Sequence, residues 1–516
     1  MFQNVISAAI RGLEILPVNV ETDVSNGFPQ FRMVGFVTSQ VREAEDRVRT
    51  ALRNVDIVLP PKRITVNLSP ADVPKSGSRF DLPIALGILA AARMIPPASL
   101  TNVMAVGELS LSGSLAPVTG ILPIAVKAKE LGIGSLLIPA ANLREGRIVE
   151  GLDVIGFRDL PEVLAFLSKG VRPKEEDAAS LPTPLNIYDV DFSDIRGQYR
   201  LKRAAEIAAA GFHNLLMEGP PGAGKTMAAR RFPTILPSLT ADESLEISQI
   251  YSVAGLLVPE RPILGVRPFR SPHHTLSPAA LAGGGRIPRP GELTLAHRGV
   301  LFLDEMPEFS RSALETLRQP LEDREIVISR AMGTYRFPAN FLLVAAMNPC
   351  PCGYYPDMNR CRCSANAISA YRSRISQALL DRMDLFVAVR AMRYEELTGS
   401  DTAKAPEPSA RIRDRVEKVR GLQQARFSGT GIRFNSEIPA SRLPELCPID
   451  AETDTLLSRA FSVLHLSARA YHRILRVSRT IADLDESERI RKRHVEEAID
   501  YRPRILGSGP DEEYRP

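Results

Sequence analysis

The segment Leu215-Leu-Met-Glu-Gly-Pro-Pro-Gly-Ala-Gly-Lys-Thr226 joins a short apolar run to a glycine-rich loop. The loop fits the spacing G-x-x-x-x-G-K-[ST], in which glycines let successive backbone N–H groups turn toward bound phosphates. A helix predicted over Met227–Phe232 directs its positive N-terminus at the same anion. We therefore predict an ATP-binding loop, in which Lys225 reaches the β- and γ-phosphates and Thr226 ligates Mg²⁺. The loop residues predicted to bind the nucleotide are Gly219, Pro220, Pro221, Gly222, Ala223, Gly224, Lys225 and Thr226.

Two further apolar runs of strand character end in polar side chains. The run that begins at Val300 ends in Asp304 and Glu305, and the run that begins at Phe341 ends in Asn348. We predict that Asp304 holds the Mg²⁺ shell, that Glu305 polarises the attacking water, and that Asn348 aligns this water against the γ-phosphate. The plainer alternatives are an exposed acidic turn after a core strand and an asparagine that caps a turn.

Length and composition describe a multidomain globular protein. The chain has 516 residues, which suggests about three domains. Its formal net charge is only +5, so charge excludes a polycation but permits local basic surfaces. The apolar run Leu82–Ile95 is too short and too interrupted to span a bilayer, and residues 1–20 carry no secretory signal. A cytoplasmic location without membrane attachment is the expectation.

Periodicity and composition divide the chain into three parts. Residues 1–169 mix β-like runs with helical stretches, which predicts an α/β domain. Residues 187–397 alternate strands and helices, the pattern of a three-layer α/β core. Residues 410–505 are predicted to be helical with basic faces. The connecting segments are the polar, Pro-containing linkers 170–186 and 398–409 and the tail 506–516.

The chain resembles the AAA+ ATPases of the magnesium-chelatase-like branch and, more closely, the ComM-type (YifB-type) competence ATPases. The resemblance covers nearly the whole chain. It rests on the segments Arg267–Thr275, Gly283–Gly285, Pro290–Leu293, Ala296–Glu305, Asn348–Gly353 and Ser467–Leu484.

This resemblance implies a homo-oligomeric ring, expected to be a hexamer. Arg382 matches the arginine finger that enters the neighbouring subunit's site and neutralises charge in the transition state. Arg469 matches the sensor arginine of the helical lid, which acts on its own nucleotide or on the neighbour's. Without the resemblance, both arginines would be taken for surface charges on helices.

The N-terminal part resembles the Lon-protease and ribosomal-S5-type fold through the segment Thr65–Pro83. A Lon-type site needs a serine activated by a lysine of lowered pKa. Those two positions fall on Arg79 and Leu122. The expectation is therefore a non-proteolytic platform for assembly or for DNA.

Two insertions in the predicted core bear on the substrate. The first spans Arg267–Arg289, and the second, Glu325–Phe337, is predicted to form a hairpin that carries Arg330 and Arg336. In ring-shaped relatives such as the replicative minichromosome-maintenance helicases, the equivalent loops line a pore and grip DNA. The resemblance thus implies salt-sensitive, sequence-independent contacts to branched or single-stranded DNA. The alternative is that both are packing loops within the ring.

Four of the five cysteines form two C-x-C pairs, Cys350 with Cys352 and Cys361 with Cys363. Four thiolates suit tetrahedral Zn²⁺, although these pairs are tighter than the usual C-x₂₋₄-C. The alternative is four reduced thiols in a mobile loop. If zinc is bound, a basic knuckle that contacts DNA is plausible. Its basic residues would be Arg360, Arg362, Arg372 and Arg374.

Three functions remain compatible with the sequence. The favoured one is an ATP- and Mg²⁺-dependent ring motor that drives branch migration of DNA in recombination and natural transformation. The second is a chelatase-type ATPase that drives metal insertion into a tetrapyrrole, for which no integrin-like domain is fused to this chain. The third is a protein remodeller or a Lon-like peptidase, and the peptidase fails on Arg79 and Leu122.

Overall fold

The N-terminal region is a seven-stranded mixed sheet covered by helices. A computed structural model describes residues 1–35, 38–174, 188–330, 333–391 and 407–502 of the chain. The strands of this region are β1 (Phe2–Arg11), β2 (Glu14–Ser25), β3 (Gln30–Val34), β4 (Arg63–Ser69), β5 (Val103–Ala105), β6 (Glu108–Leu109), β7 (Leu115–Ala116), β8 (Ser135–Pro139) and β9 (Asp153–Phe157). The sheet order is β3-β4-β2-β1-β5-β8-β9, and β6 pairs with β7.

The predicted apolar run that begins at Leu82 is the central helix of this region. It spans Asp81–Ala91, and every residue in it is buried. Gly87 allows the helix to approach the sheet, because a Cβ there would lie 2.5 Å from Oγ1 of Thr22. The neighbouring helices are Ser39–Arg42, Ala44–Asn54, Ile121–Glu130, Leu143–Gly146 and Leu160–Lys169. None of the helices in the described ranges combines the length and apolar character that a bilayer crossing needs.

The central region is a five-stranded sheet in which all paired strands are parallel. Its order is β11-β14-β17-β10-β18. The five strands are β10 (Leu215–Glu218), β11 (Phe269–Arg270), β14 (Val300–Leu303), β17 (Leu342–Met347) and β18 (Leu385–Ala388). Two antiparallel hairpins are inserted, β12 (Gly283–Gly284) with β13 (Arg289–Pro290), and β15 (Glu325–Arg330) with β16 (Gly333–Pro338). The prediction of an α/β core with a parallel sheet is confirmed.

Both faces of this sheet are covered, which explains why its strands are continuous apolar runs. Alternate residues of β10 point to opposite sides: Leu215 and Met217 join one hydrophobic cluster and Leu216 joins another. The helices of the central region are Tyr199–Gly211, Lys225–Arg231, Ala241–Ala254, Pro278–Ala282, Glu292–Leu295, Arg311–Thr316, Pro320–Asp323, Ala365–Arg372 and Gln377–Leu380.

The C-terminal region is helical, and its core is continuous with that of the sheet. Val416, Ile474 and Ile481 belong to the same hydrophobic cluster as Leu215 and Met217. The helices are Ser409–Arg426, Leu443–Leu446, Ala451–Val463, Ala468–Leu484 and Lys492–Asp500. This region therefore packs onto the central α/β core as part of one buried unit.

Two predicted helix boundaries in the C-terminal region differ from the structure. The helix predicted from residue 410 begins at Ser409, inside the predicted linker, because the Asp191 carboxylate accepts a hydrogen bond from the Ser409 backbone N–H at 3.1 Å and so satisfies a donor of the first turn. The helix predicted to run from Ala451 to Leu466 ends at Val463, and the backbone is left-handed at His465. Most of the linker 170–186, most of the linker 398–409 and the tail 506–516 lie outside the described residues.

Candidate functional site

The glycine-rich loop connects the end of β10 to the helix Lys225–Arg231. Gly219 is required by close approach, since a Cβ there would lie 2.2 Å from the backbone oxygen of Val389. Gly224 has φ +91° and caps the helix, a conformation that other residues rarely adopt. The loop therefore has the strand–turn–helix context that its motif requires, and the N-terminus of the helix faces the loop.

Lys225 lies folded over the loop that precedes it. Its ammonium group donates hydrogen bonds to the backbone oxygens of Gly219 at 2.5 Å and Pro220 at 2.9 Å, and to Oδ1 of Asn348 at 3.1 Å. Burial lowers the pKa of Lys225, and the carboxylates of Asp304 and other neighbouring acids oppose that shift. An anionic phosphate would satisfy this half-buried cation better than two backbone carbonyls do.

The predicted acids lie beside the loop, at the end of β14. Asp304 accepts a hydrogen bond from the Thr226 hydroxyl at 2.6 Å, although 78 residues separate the two along the chain. This pair offers carboxylate and hydroxyl oxygens, the hard ligands that Mg²⁺ prefers. Glu305 is exposed and left-handed, with φ 49°. Such a backbone in a non-glycine residue costs energy and is found preferentially at functional sites.

Asn348 completes the group because β17 lies between β14 and β10 in the sheet. The carboxyl ends of parallel strands share one edge, so the residues after β10, β14 and β17 converge there. The structure thus brings together Lys225, Thr226, Asp304 and Asn348, with Glu305 adjacent in sequence to Asp304.

Arg382 lies at the opposite end of the strands, where the parallel strands begin. It precedes β18, and Asp384, two residues later, is bonded to Asn214, the residue directly before β10. The Arg382 guanidinium donates to the backbone oxygen of Ala378 at 2.6 Å and pairs with Glu322. Its buried Nε has no hydrogen-bond partner within the described ranges.

Arg469 lies near Arg382, and Glu322 connects them. Nη2 of Arg469 is 3.8 Å from Oε1 of Glu322, and the side chain is 63% exposed. Arg473, one turn later on the same helix, pairs with Asp384. Both predicted arginines, Arg382 and Arg469, therefore lie near the beginnings of the strands, whereas the phosphate loop lies at their carboxyl ends. Sequence reasoning missed Glu322, which is 60 residues from Arg382 and has no motif around it.

The second insertion forms the predicted hairpin, with one buried and one exposed face. Tyr335 and Phe337 are buried, whereas Arg330 and Arg336 are exposed. Arg336 pairs across the hairpin with Glu325 at 2.6 Å. Met332, at the predicted turn, lies outside the described residues.

The first insertion offers fewer free charges than its sequence suggests. Arg267 is buried and pairs with Glu243 at 2.8 Å, and Arg270 pairs with Glu292 at 2.7 Å. Both arginines are therefore internal ion-pair partners, while Arg286 and Arg289 are exposed.

The four clustered cysteines lie close together in the structure. All four sulfurs lie within 4.8 Å of one another, and three pairs are 3.4–3.7 Å apart. Zn–S bonds near 2.3 Å in a tetrahedron would place sulfurs about 3.8 Å apart. Of the predicted knuckle arginines, Arg372 pairs with Glu218 and Arg374 with Glu308, both at 2.8 Å or less.

Arg360 also makes an internal contact, because its guanidinium stacks over the Tyr354 ring at 3.9 Å. Three of the four arginines are thus engaged within this chain, and Arg362 is exposed. In the described parts of the chain, the four thiols are the one group of three or more His, Cys, Asp or Glu side chains close enough to share a metal ion, and His273 and His274 are not part of it.

The N-terminal positions that a Lon-type site would use carry no nucleophile and base. Arg79 is a guanidinium in a largely buried setting, and burial lowers its pKa to about 10. Leu122 lies buried in the helix Ile121–Glu130. A neighbouring hydroxyl, that of Ser78, donates to the carboxylate of Glu108. The expectation of a non-proteolytic domain stays a prediction.

Comparisons with known proteins cover nearly the whole chain. The family described as "Magnesium chelatase, subunit ChlI" matches residues 191–397, "Subunit ChlI of Mg-chelatase" matches 20–142, and "Magnesium chelatase, subunit ChlI C-terminal" matches 406–502. The competence protein ComM of Haemophilus influenzae is 43% identical over 97% of each chain. YifB of Escherichia coli is 41% identical over 96% of each chain. The magnesium-chelatase 38 kDa subunit of Cereibacter sphaeroides is 28% identical over 40% of this chain and 60% of that protein.

Proposed function

Because the chain belongs to the ComM/YifB family of magnesium-chelatase-like AAA+ proteins, we propose that it is a Mg²⁺-dependent ATPase that works as a ring motor on DNA. The observation that supports the ATPase is the meeting of Lys225, Thr226, Asp304 and Asn348 at the ends of three adjacent parallel strands. A competence protein that is 43% identical over 97% of each chain supports a role in competence, and we propose branch migration of DNA as the reaction. The same proposal places the protein in the cytoplasm.

In the proposed reaction, each residue of the site has one task. Lys225 exchanges the backbone oxygens of Gly219 and Pro220 for the β- and γ-phosphate oxygens. Thr226 and Asp304 hold Mg²⁺, which neutralises phosphate charge when bound. Glu305 accepts a proton from the attacking water, and Asn348, bonded to Lys225, orients that water.

We extend the proposal to a homo-oligomeric ring, expected to be a hexamer. The strands β10 and β18, which pair with each other between Arg382 and the phosphate loop, have four residues each, so at about 3.3 Å per residue they are about 13 Å long. Arg382 and Arg469 lie where these strands begin, at the end away from the chain's own phosphate loop. Both would complete the site of a neighbouring copy, and Glu322 would hold them until that copy docks.

DNA would contact the exposed face of the hairpin β15–β16. Arg330 and Arg336 extend from a base fixed by Tyr335 and Phe337, so the charges have a rigid support. Contacts from such guanidinium groups go to phosphates and carry no sequence information.

The chelatase alternative is less well supported, because the chelatase subunit matches 40% of this chain while the competence relative matches 97%. Stimulation of ATPase by branched DNA, by a tetrapyrrole-loaded partner or by unfolded protein separates the three functions.

The double substitution of Arg330→Ala and Arg336→Ala is expected to abolish unwinding of three- and four-way DNA junctions. Each lost phosphate contact should reduce the slope of log affinity against log salt by about 0.7–0.9. Basal ATPase without DNA should persist, because neither residue belongs to the nucleotide site. Arg442→Ala, which removes a partly exposed arginine from its ion pair with Glu445, is the control and should leave both measurements unchanged. Full junction unwinding by the double variant would contradict this role, and joint loss of assembly and ATPase would indicate a packing role instead.

We also propose that the four clustered cysteines bind one Zn²⁺ per chain. Their sulfurs lie at the separations that tetrahedral coordination needs, and soft thiolates favour zinc. Metal analysis of protein purified without chelator should give one zinc per chain, and none in a variant with Cys361→Ser and Cys363→Ser. Zinc-free wild-type protein would rule the site out.

A further inference from the structure

The loop that carries the cysteines has almost no apolar core of its own. Between positions 350 and 363, the buried side chains are those of Cys350 and Cys361, while Met358 at the far end is 70% exposed. A polar loop of this length cannot be ordered by burial alone, and a bound metal supplies the missing free energy of folding. The position of the loop should therefore depend on the metal.

This loop packs directly on the phosphate loop. At Gly353, where φ is +85°, a Cβ would lie 2.6 Å from Cδ of Pro221, in the middle of the glycine-rich loop. Gly353 is also tied to the first cysteine, since its backbone N–H donates to the backbone oxygen of Cys350 at 3.0 Å. The ligand-bearing turn and the phosphate loop are thus in van der Waals contact.

The second cysteine pair is tethered to the same loop from the other side. The helix Ala365–Arg372 follows directly after Cys363. Its last residue, Arg372, donates to Oε1 of Glu218 at 2.7 Å and to the backbone oxygen of Pro349 at 3.2 Å. Glu218 is the residue immediately before Gly219, so this ion pair fixes the start of the phosphate loop.

The first cysteine pair begins two residues after Asn348, the side chain that accepts a hydrogen bond from Lys225. Three attachments therefore meet at the cysteine cluster: the strand end at Asn348, the contact with Pro221 and the ion pair with Glu218. We propose that zinc held by the four cysteines braces the nucleotide pocket, fixing the phosphate loop, Lys225 and Asn348 relative to one another. This proposal rests on the proposed ATPase activity but not on action on DNA. It assigns the cysteine loop to the support of the nucleotide pocket instead of to a DNA-binding knuckle.

The test measures zinc content and the affinity for a fluorescent ADP analogue in the full-length protein without DNA. Cys361→Ser combined with Cys363→Ser should lose zinc and bind the analogue about tenfold or more weakly. ATP turnover should fall further, about 100-fold, because small displacements of reacting groups have large effects on rate. The control Met358→Ala changes an exposed residue of the same loop and should leave zinc and affinity unchanged.

Two variants separate the brace from mere folding of the loop, because both keep all four thiols. Gly353→Ala should retain zinc yet weaken analogue binding, since its methyl group meets Pro221. Arg372→Ala should do the same by removing the ion pair between Arg372 and Glu218, and Arg372→Lys should restore part of the affinity.

Wild-type affinity in the zinc-free double-cysteine variant would overturn the proposal. Wild-type affinity in both Gly353→Ala and Arg372→Ala would also overturn it, and this decides the matter even if the double-cysteine variant fails to fold. Failure of the DNA proposal would look different. In that case the protein would not unwind DNA junctions, but its nucleotide affinity would still depend on its zinc content.

Discussion

Lys225→Ala and Glu305→Gln are both expected to abolish ATP turnover, but only Lys225→Ala should weaken nucleotide binding. Lys225→Ala removes the only ammonium group that contacts the phosphate loop in the described structure, so nucleotide affinity should fall about tenfold or more. Glu305→Gln leaves Lys225, Thr226 and Asp304 in place and removes only the proton acceptor. It should bind ATP normally and hydrolyse it about 100-fold or more slowly.

Steady-state phosphate release and retention of radiolabelled ATP on the protein measure the two effects. Glu308→Gln is the matched control, since it neutralises an exposed carboxylate three residues further along the same turn, where it pairs with Arg374. That variant should retain wild-type turnover. Hydrolysis by Glu305→Gln at the wild-type rate would show that another group activates the water.

The nucleotide site could be predicted from sequence because each of its parts is local. A glycine-rich loop needs only its own spacing and a flanking strand and helix to be recognised. Asp304 and Asn348 each follow a run that is apolar throughout, and such runs indicate strands buried on both faces. In a parallel sheet the ends of these strands must share an edge, so their convergence on Lys225 followed from topology.

The arginine contacts could not be predicted, because they depend on distant parts of the chain. Glu322 meets both Arg382 and Arg469, and Arg372 meets Glu218 across 154 residues. A glutamate on a short helix carries no sign of its partner, since any exposed carboxylate has the same local pattern. These pairings arise only once the sheet order and the docking of the C-terminal helices are known.

Charge in the sequence also overstated the surface available to DNA. Glu243 is fully buried and contacts three arginines, Arg267, Arg420 and Arg433, which come from the first insertion and from the C-terminal region. Buried ions require such partners because desolvation penalises an unpaired charge. A count of basic residues does not separate these internal pairs from exposed groups such as Arg330.

Substitution of Arg382 gives the second large expected effect. ATP turnover should be lost, and mixing with a second variant that has a different defect should restore part of it. Arg382→Ala should assemble and bind ATP yet hydrolyse it about 1000-fold more slowly, as expected for a missing arginine finger. The control is Arg493→Ala. Arg493 lies on the helix Lys492–Asp500, is exposed and pairs with Asp485, so this variant should remain active.

Mixing Arg382→Ala with Lys225→Ala in equal amounts distinguishes action on the neighbour from action on the chain's own nucleotide. In a randomly mixed ring, about a quarter of the interfaces join an intact phosphate loop to an intact arginine, so about a quarter of the activity should return. If Arg382 served its own nucleotide, every site would keep one defect and no activity would return. Mixing Lys225→Ala with Glu305→Gln places both defects on the same side of the interface and should restore nothing. Recovery in that control, or a monomeric mass with full activity in the presence of ATP and DNA, would contradict a site shared between subunits.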